Sequence, residues 1–190
     1  MTLLGIDPSL RNTGVVSLDP SMGTITRVEV IRTSKQADRK NLRVGEDDLR
    51  RARRIARELE QLVDQEQPVA VFGELPGGSR SNRASKGFGI VLGAIGAVTE
   101  LRDLPTGWET QFALKKACTG DGQATKTAVA DHVQDHYAWE DELPDAKTRR
   151  QHVFDAAAAL YANRECDLYR MAVQQSTPHA SAAQQEGEHT

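Results

Sequence analysis

The stretch LLGIDPSLRNTGVVSL (residues 3–18) contains two short apolar runs separated by polar, turn-forming residues. The first run ends at Asp7, and the second begins at Thr13. Runs of this length, bounded by proline, serine and asparagine, are typical of β-strands joined by a turn. Residues 24–31 interleave β-branched and charged side chains after a further turn signal, so we predict a three-stranded meander at the start of the fold.

Helices and two more strands are predicted after the meander. Residues 47–65 place apolar side chains at helical spacing, and residues 84–101 are apolar around most of a helix, which should then be covered on more than one side. Further strands are expected at 69–72 and 104–108, and further helices at 110–117, 124–137 and 146–164. This order predicts an α/β fold with a mixed five-stranded sheet flanked by helices on both faces.

The composition indicates a single folded domain. The chain has 190 residues, 38% of them hydrophobic and 27% charged, with no uninterrupted apolar run near the length that crosses a bilayer. We predict one domain over residues 1–171 and a disordered tail over residues 172–190, where apolar periodicity stops. The first residues lack the features of a secretory signal, so we expect a cytoplasmic protein without membrane contact. Cys118 and Cys166 are expected to be reduced thiols.

Charge is distributed unevenly along the chain. The formal net charge is −3, yet residues 27–57 contain eleven basic side chains against five acidic ones. Residues 131–145 contain six acidic side chains and no lysine or arginine. This polarity predicts a basic face able to steer DNA, although solvated helix faces of mixed charge would give the same counts.

Three carboxylates and one histidine are the candidate chemical groups. Asp7 and Glu74 each follow an apolar run that reads as a strand, although an acid there is often only a turn or helix cap. Asp155 lies among apolar residues on a predicted helix, with His152 three residues earlier on the same face. A buried carboxylate needs a partner, and a bound metal ion is one of the few that suffice. The alternative is a surface aspartate that forms a local hydrogen bond beside a histidine.

Four segments resemble the motifs of the RuvC family of Holliday-junction resolvases, in order and spacing. They are GIDPSLRNTG (5–14), VFGE (71–74), KKACTGDGQATK (115–126) and HVFDA (152–156). The resemblance implies a ribonuclease-H-like fold and an endonuclease that resolves four-way junctions, forks and other branched DNA. It also implies a bacterial or phage-infected host cell as the setting.

The resemblance also implies a divalent-metal site. The metal-binding residues would be Asp7, Glu74 and Asp155, with His152 replacing the fourth acidic residue of many relatives. Such ligands favour Mg²⁺, with Mn²⁺ able to substitute. Two ions about 4 Å apart would activate a water for in-line attack and stabilise the leaving oxygen. Lys126, with Lys115 or Lys116, would offset charge at the scissile phosphate.

One departure from the family concerns how DNA is held. Many relatives follow the second-motif glutamate with an aromatic residue that wedges into the junction, whereas Leu75, Pro76 and Gly77 follow here. We therefore expect phosphate contacts and the relaxed sequence preference of a phage-like resolvase. The predicted DNA-binding residues are Arg80, Arg83, Lys86, Lys115, Lys116 and Lys126.

The helix over residues 84–101 resembles the region where RuvC dimers meet, so a two-fold homodimer is expected, unless one subunit buries the helix alone.

Other classes of protein share some of these features. An ATPase of the actin and sugar-kinase type has a similar first motif, but it needs a second lobe that does not fit in 190 residues. A catalytically silent protein that binds branched DNA would have no use for three acids facing phosphate. Another ribonuclease-H-like nuclease, acting on RNA, fits the 120–126 and 152–155 segments less well.

Overall fold

A computed structural model describes residues 1–35, 43–77 and 81–176. Six strands and six helices are present in that part of the chain. In chain order they are β1 (Thr2–Asp7), β2 (Asn12–Asp19), β3 (Thr24–Arg32), α1 (Val44–Glu66), β4 (Pro68–Leu75), α2 (Asn82–Leu101), β5 (Thr106–Thr110), α3 (Gln111–Thr119), α4 (Lys126–His136), β6 (Ala138–Trp139), α5 (Lys147–Asn163) and α6 (Asp167–Ser176).

The strands form one mixed sheet in the order β5-β4-β1-β2-β3-β6. The meander β1-β2-β3 is antiparallel, as predicted, and β4 joins β1 in parallel. Strand β5 then pairs in parallel with β4. The α/β class is confirmed, but the prediction of five strands is wrong. The sixth strand, β6, is only two residues long, which is too short to give an alternating pattern in the sequence.

Helices cover both faces of the sheet and create two cores. On one face α5 packs on β1 and β2, and its buried residues join a cluster with Leu3, Val16 and Phe72. On the other face α1 and α2 pack on Leu4 and Ile6. Because side chains of a strand alternate between faces, Leu3 and Asp7 of β1 point toward α5.

Two glycines allow α5 to lie unusually close to the sheet. A Cβ added at Gly5 would overlap the main-chain oxygen of Ala156, and one added at Gly14 would overlap that of His152. Gly14 is also the register partner of Asp7 across β1 and β2. The absence of a side chain at Gly14 therefore sets the depth of α5 where the candidate site lies.

Within one subunit helix α2 is covered on one side only, so the alternative that a single subunit buries this helix alone is wrong. Its buried residues are Gly87, Val91, Ile95, Val98 and Thr99, and this side packs against α1 and the sheet. A Cβ at Gly89, Gly93 or Gly96 would meet nothing within 4 Å. By length and composition alone α2 could also cross a membrane, a test that core helices of soluble proteins pass as well.

Helix α6 was not predicted. It extends to Ser176, five residues into the segment expected to be a disordered tail. Residues 177–190, the rest of that segment, lie outside the described residues.

Candidate active site at the end of the central strands

The carboxylate of Asp7 lies at the carboxyl end of β1, beneath the start of α5. Its Oδ2 atom is 2.5 Å from Nδ1 of His152. Burial raises the pKa of Asp7, the hydrogen bond from His152 opposes that shift, and the charge of Asp155 adds to it. Two of the predicted groups, 145 residues apart in sequence, are therefore in direct contact.

Glu74 lies beside Asp7 because β4 runs parallel to β1. Ile6 of β1 pairs with Gly73 of β4, so the residue that follows each of them emerges at the same end of the sheet. Glu74 is buried, and burial together with the charges of Asp7 and Asp155 raises its pKa to about 8. Two neighbouring strand ends thus hold two carboxylates that resist ionising together.

Asp155 completes the group from α5. Its side chain is buried, as the apolar sequence around it predicts. Oδ2 is 2.7 Å from Nζ of Lys126, the first residue of α4, and Oδ1 accepts a hydrogen bond of 3.0 Å from Nε2 of Gln151. Burial alone would lower the pKa of Lys126, but the hydrogen bond and charge of Asp155 raise it.

The three acids repel one another, so a positive charge placed among them would stabilise their ionised forms. Each of Asp7 and Glu74 has its pKa raised by burial and by neighbouring acids, and the charge of Lys126 opposes the shift in both. In the described residues no three His, Cys, Asp or Glu side chains converge as a ready-made metal site. One oxygen of Asp7 and one of Asp155 instead bond to His152 and Lys126. A buried, oxygen-rich set that repels itself fits a hard divalent cation such as Mg²⁺.

The predicted basic residues are divided between the site and the opposite face. Lys115 lies close enough for its charge to lower the pKa of Glu74, whereas Lys116 is exposed in the last turn of α3. Arg83 and Lys86 lie in the first turns of α2, and Lys86 forms an ion pair of 3.4 Å with Asp48 of α1. Arg80 lies outside the described residues.

Two polar residues near the site were missed in the sequence. Gln151 bonds to Asp155 from four residues earlier, a spacing that places both on one helix face and was available as a signal. Glu109 of β5 is the register partner of Glu74, so its backbone flanks that of the candidate ligand. Nothing in the sequence reveals strand register between β4 and β5.

Comparison with known proteins decides the family. No protein-family profile matches the chain. The crossover junction endodeoxyribonuclease RuvC of Nocardioides sp. is 33% identical over 132 residues, which cover 68% of this chain and 70% of that protein. This chain belongs to the RuvC family. The RuvC of Chlorobium phaeobacteroides is 32% identical over 68% of this chain and 66% of its own length.

Solved structures agree on the fold. Thermus thermophilus RuvC in complex with a Holliday junction substrate superposes with a TM-score of 0.68 at 24% identity, covering 86% of this chain and 92% of that one. The yeast mitochondrial Holliday junction resolvase Ydc2 gives a TM-score of 0.62 at 10% identity, over 91% and 80%. The ribonuclease-H-like fold implied by the RuvC motifs is therefore confirmed.

Proposed function

We propose that this RuvC-family endonuclease cuts Holliday junctions, forks and other branched DNA by divalent-metal-dependent hydrolysis of phosphodiester bonds. The observation that carries the proposal is the meeting of Asp7, Glu74 and Asp155, from three distant segments, at one end of the sheet. Burying three mutually repelling carboxylates costs stability, so the arrangement is explained by a function that uses them. We expect the enzyme to act in the cytoplasm of a bacterial or phage-infected cell.

The proposed metal ligands are Asp7, Glu74, Asp155 and His152. Their oxygens favour Mg²⁺, and the imidazole tilts the preference somewhat toward Mn²⁺. Two bound ions would supply an activated water for in-line attack and stabilisation of the leaving oxygen. His152 and Lys126 bond to one oxygen each of Asp7 and Asp155, which places both side chains beside the proposed metal site.

In this proposal Lys126 and Lys115 offset the charge of the substrate phosphate, and Gln151 orients Asp155. Lys126 is partly exposed at the mouth of the site, where its ammonium can offset charge that develops on the phosphate. Lys115, on the Glu74 side, extends the same positive field. Gln151 holds one oxygen of Asp155 and leaves the other to its charged partner.

We propose that DNA is positioned through phosphates and that the cutting-sequence preference is relaxed, as in a phage-like resolvase. Arg83, Lys86 and Lys116 supply exposed positive charge, and contacts to phosphate position DNA without reading its sequence. Arg80 belongs to this proposal through its place in the sequence alone.

We also propose a homodimer that meets through α2. The side of this helix that does not pack on α1 contains Gly89, Gly93 and Gly96. A Cβ added at any of these glycines would meet nothing within 4 Å. Such a surface permits close approach of a second helix. A two-fold dimer would place two active sites on opposing strands of a junction.

The decisive experiment compares wild type with Asp7→Asn on a four-way junction, a fork, linear duplex and an RNA–DNA hybrid, with and without Mg²⁺ or Mn²⁺. We expect paired nicks in branched DNA from wild type and not from Asp7→Asn, and retained junction binding by that variant. Asp131→Asn, an exposed acid outside the site, is the matched control. Metal-independent binding without nicks would favour a silent branched-DNA binder, and preferential cutting of the hybrid would favour an RNA-directed nuclease.

A further inference from the structure

The outward side of α1 carries four arginines spaced three and four residues apart. At that spacing the side chains lie along one side of a helix. They line an open cavity of about 650 Å³ together with Glu46, Leu49 and Glu58. We call this set the arginine ridge: Arg50, Arg53, Arg54 and Arg57.

Only part of the ridge is neutralised by neighbouring acids. Arg50 pairs with Asp47 at 2.7 Å, and Arg54 pairs with Glu58 at 2.5 Å. Within the described part of the chain, Arg53 and Arg57 are exposed and have no ion pair. Two guanidinium groups on one helix side are therefore available to a ligand.

A fifth arginine of α1, Arg51, does not face outward, so positive charge alone does not explain the exposure of the other four. Arg51 turns inward and is buried, with Nε donating to Oγ1 of Thr33 at 2.8 Å and Nη2 donating to the main-chain oxygen of Leu10 at 3.0 Å. Leu10 belongs to the loop that follows Asp7. These bonds fix the first turns of α1 at the end of the sheet where the catalytic carboxylates lie.

The ridge nevertheless cannot touch the phosphate that is cut. Asp7 and Asp155 lie on the face of the sheet covered by α5, whereas α1 covers the opposite face. A ligand that reached both places would have to be long and to pass around the end of the sheet. A duplex arm of a branched DNA satisfies that condition.

The chemistry of the ridge suits a row of phosphates. Planar guanidinium groups bind phosphate oxygens in pairs. Seven residues of helix span about 10 Å, the rise of about three phosphates along one DNA strand. We propose that the arginine ridge binds phosphates of a substrate arm outside the catalytic cleft. This inference rests on the proposed function, since it takes branched DNA as the substrate.

The test measures junction affinity against salt concentration, with Ca²⁺ in place of Mg²⁺ so that the DNA stays intact. Loss of two phosphate contacts should make the dependence of log Kd on log salt shallower by about 1.8, and weaken binding about tenfold or more at low salt. The variant Arg53→Gln with Arg57→Gln should show both effects. Arg53→Lys with Arg57→Lys keeps the charge and should retain most of the affinity.

The matched control is Arg27→Gln with Arg170→Gln, which removes the same charge from β3 and α6. Equal losses in the control and ridge variants would overturn the proposal, because net charge alone would then explain them. An unchanged Kd and salt slope in the ridge variant would overturn it as well. Either result leaves the proposed function intact if wild type cuts the junction with Mg²⁺, whereas wild type that neither binds nor cuts defeats both.

A second measurement locates the contact. A photo-crosslinker on Arg57→Cys, in a Cys166→Ser background, should attach to nucleotides of an arm several base pairs from the nick, while the same group on Arg170→Cys should not. Attachment at the nick itself would overturn the assignment to an arm.

Discussion

Lys126 Nζ lies 2.7 Å from Asp155 Oδ2, so the first residue of α4 is tied to the buried carboxylate of α5. The other oxygen of Asp155 is held by Gln151, and the facing acid, Asp7, is held by His152. In this arrangement Lys126, Gln151 and His152 stabilise the negative charges of Asp155 and Asp7.

Gln151→Leu should lower kcat for junction cutting by about tenfold to a hundredfold, the usual cost of losing a residue that orients a metal ligand. Junction affinity should change little, because Gln151 bonds to Asp155 and has no assigned DNA contact. The Mg²⁺ concentration that gives half-maximal rate should rise. Gln134→Leu on the exposed side of α4 is the control, and an equal loss there would remove the positioning role.

The metal-free protein should lose stability as pH rises from about 4.5 to about 8. Burial, with the neighbouring acids, raises the pKa of Glu74 from 4.5 to about 8, so the folded state binds more protons than the unfolded state in this range. Unfolding free energy therefore falls with pH there. Thermal unfolding in EDTA measures the effect, and Glu74→Gln should flatten it while Glu165→Gln should not.

Added Mg²⁺ should oppose this loss of stability with rising pH. Ligand binding to the folded state raises Tm, and carboxylates bind metal only when deprotonated. The Mg²⁺-induced rise in Tm should therefore be larger at pH 8 than at pH 6. A Tm that ignores Mg²⁺ at both pH values would contradict a metal site at Asp7, Glu74 and Asp155.

Gly14→Ala should destabilise the protein by about 1–3 kcal/mol, the usual cost of overpacking. The new Cβ would overlap the main-chain oxygen of His152 and push α5 away from the sheet. Cutting should fall as well, since His152 and Asp155 move with that helix. Gly45→Ala meets nothing within 4 Å and lies in α1, so it should be neutral or stabilising by up to about 1 kcal/mol.

Ala97→Glu should convert the proposed dimer to a monomer. Ala97 is exposed on α2, next to Gly96, and a buried unpaired charge at a helix–helix contact is costly. Size-exclusion chromatography with light scattering checks the mass, and unfolding temperature confirms that the subunit fold persists. Wild type that is already monomeric at working concentrations would contradict the dimer.

Much of this architecture could be read from the sequence, because strand-length apolar runs and helical periodicity are local signals. The carboxylates were found because each interrupts or ends such a run, as Asp155 does among buried alanines. The partners that these acids take from other elements were not predictable. His152 and Asp155 share a helix face, yet His152 bonds to Asp7 and Asp155 to Lys126, a choice made by the packing of α4 and α5.

Other errors have equally specific causes. Strand β6 is two residues long, below the length at which alternation is visible. The alternative that one subunit buries α2 alone is wrong, since a helix rich in glycine and alanine can leave much of its surface exposed at little cost in apolar area. Glu109 became a neighbour of Glu74 only through strand register, which neither segment encodes alone.

The depth at which α5 sits over Gly5 and Gly14 has a consequence for the newly made chain. Asp7 is synthesised 145 residues before His152, which lies with Asp155 on a helix that must close the core before it can meet the strand ends. A polypeptide that ends before α5 thus lacks His152 and Asp155, two of the four proposed metal ligands. The proposed metal site can therefore form only after α5 has docked on the sheet.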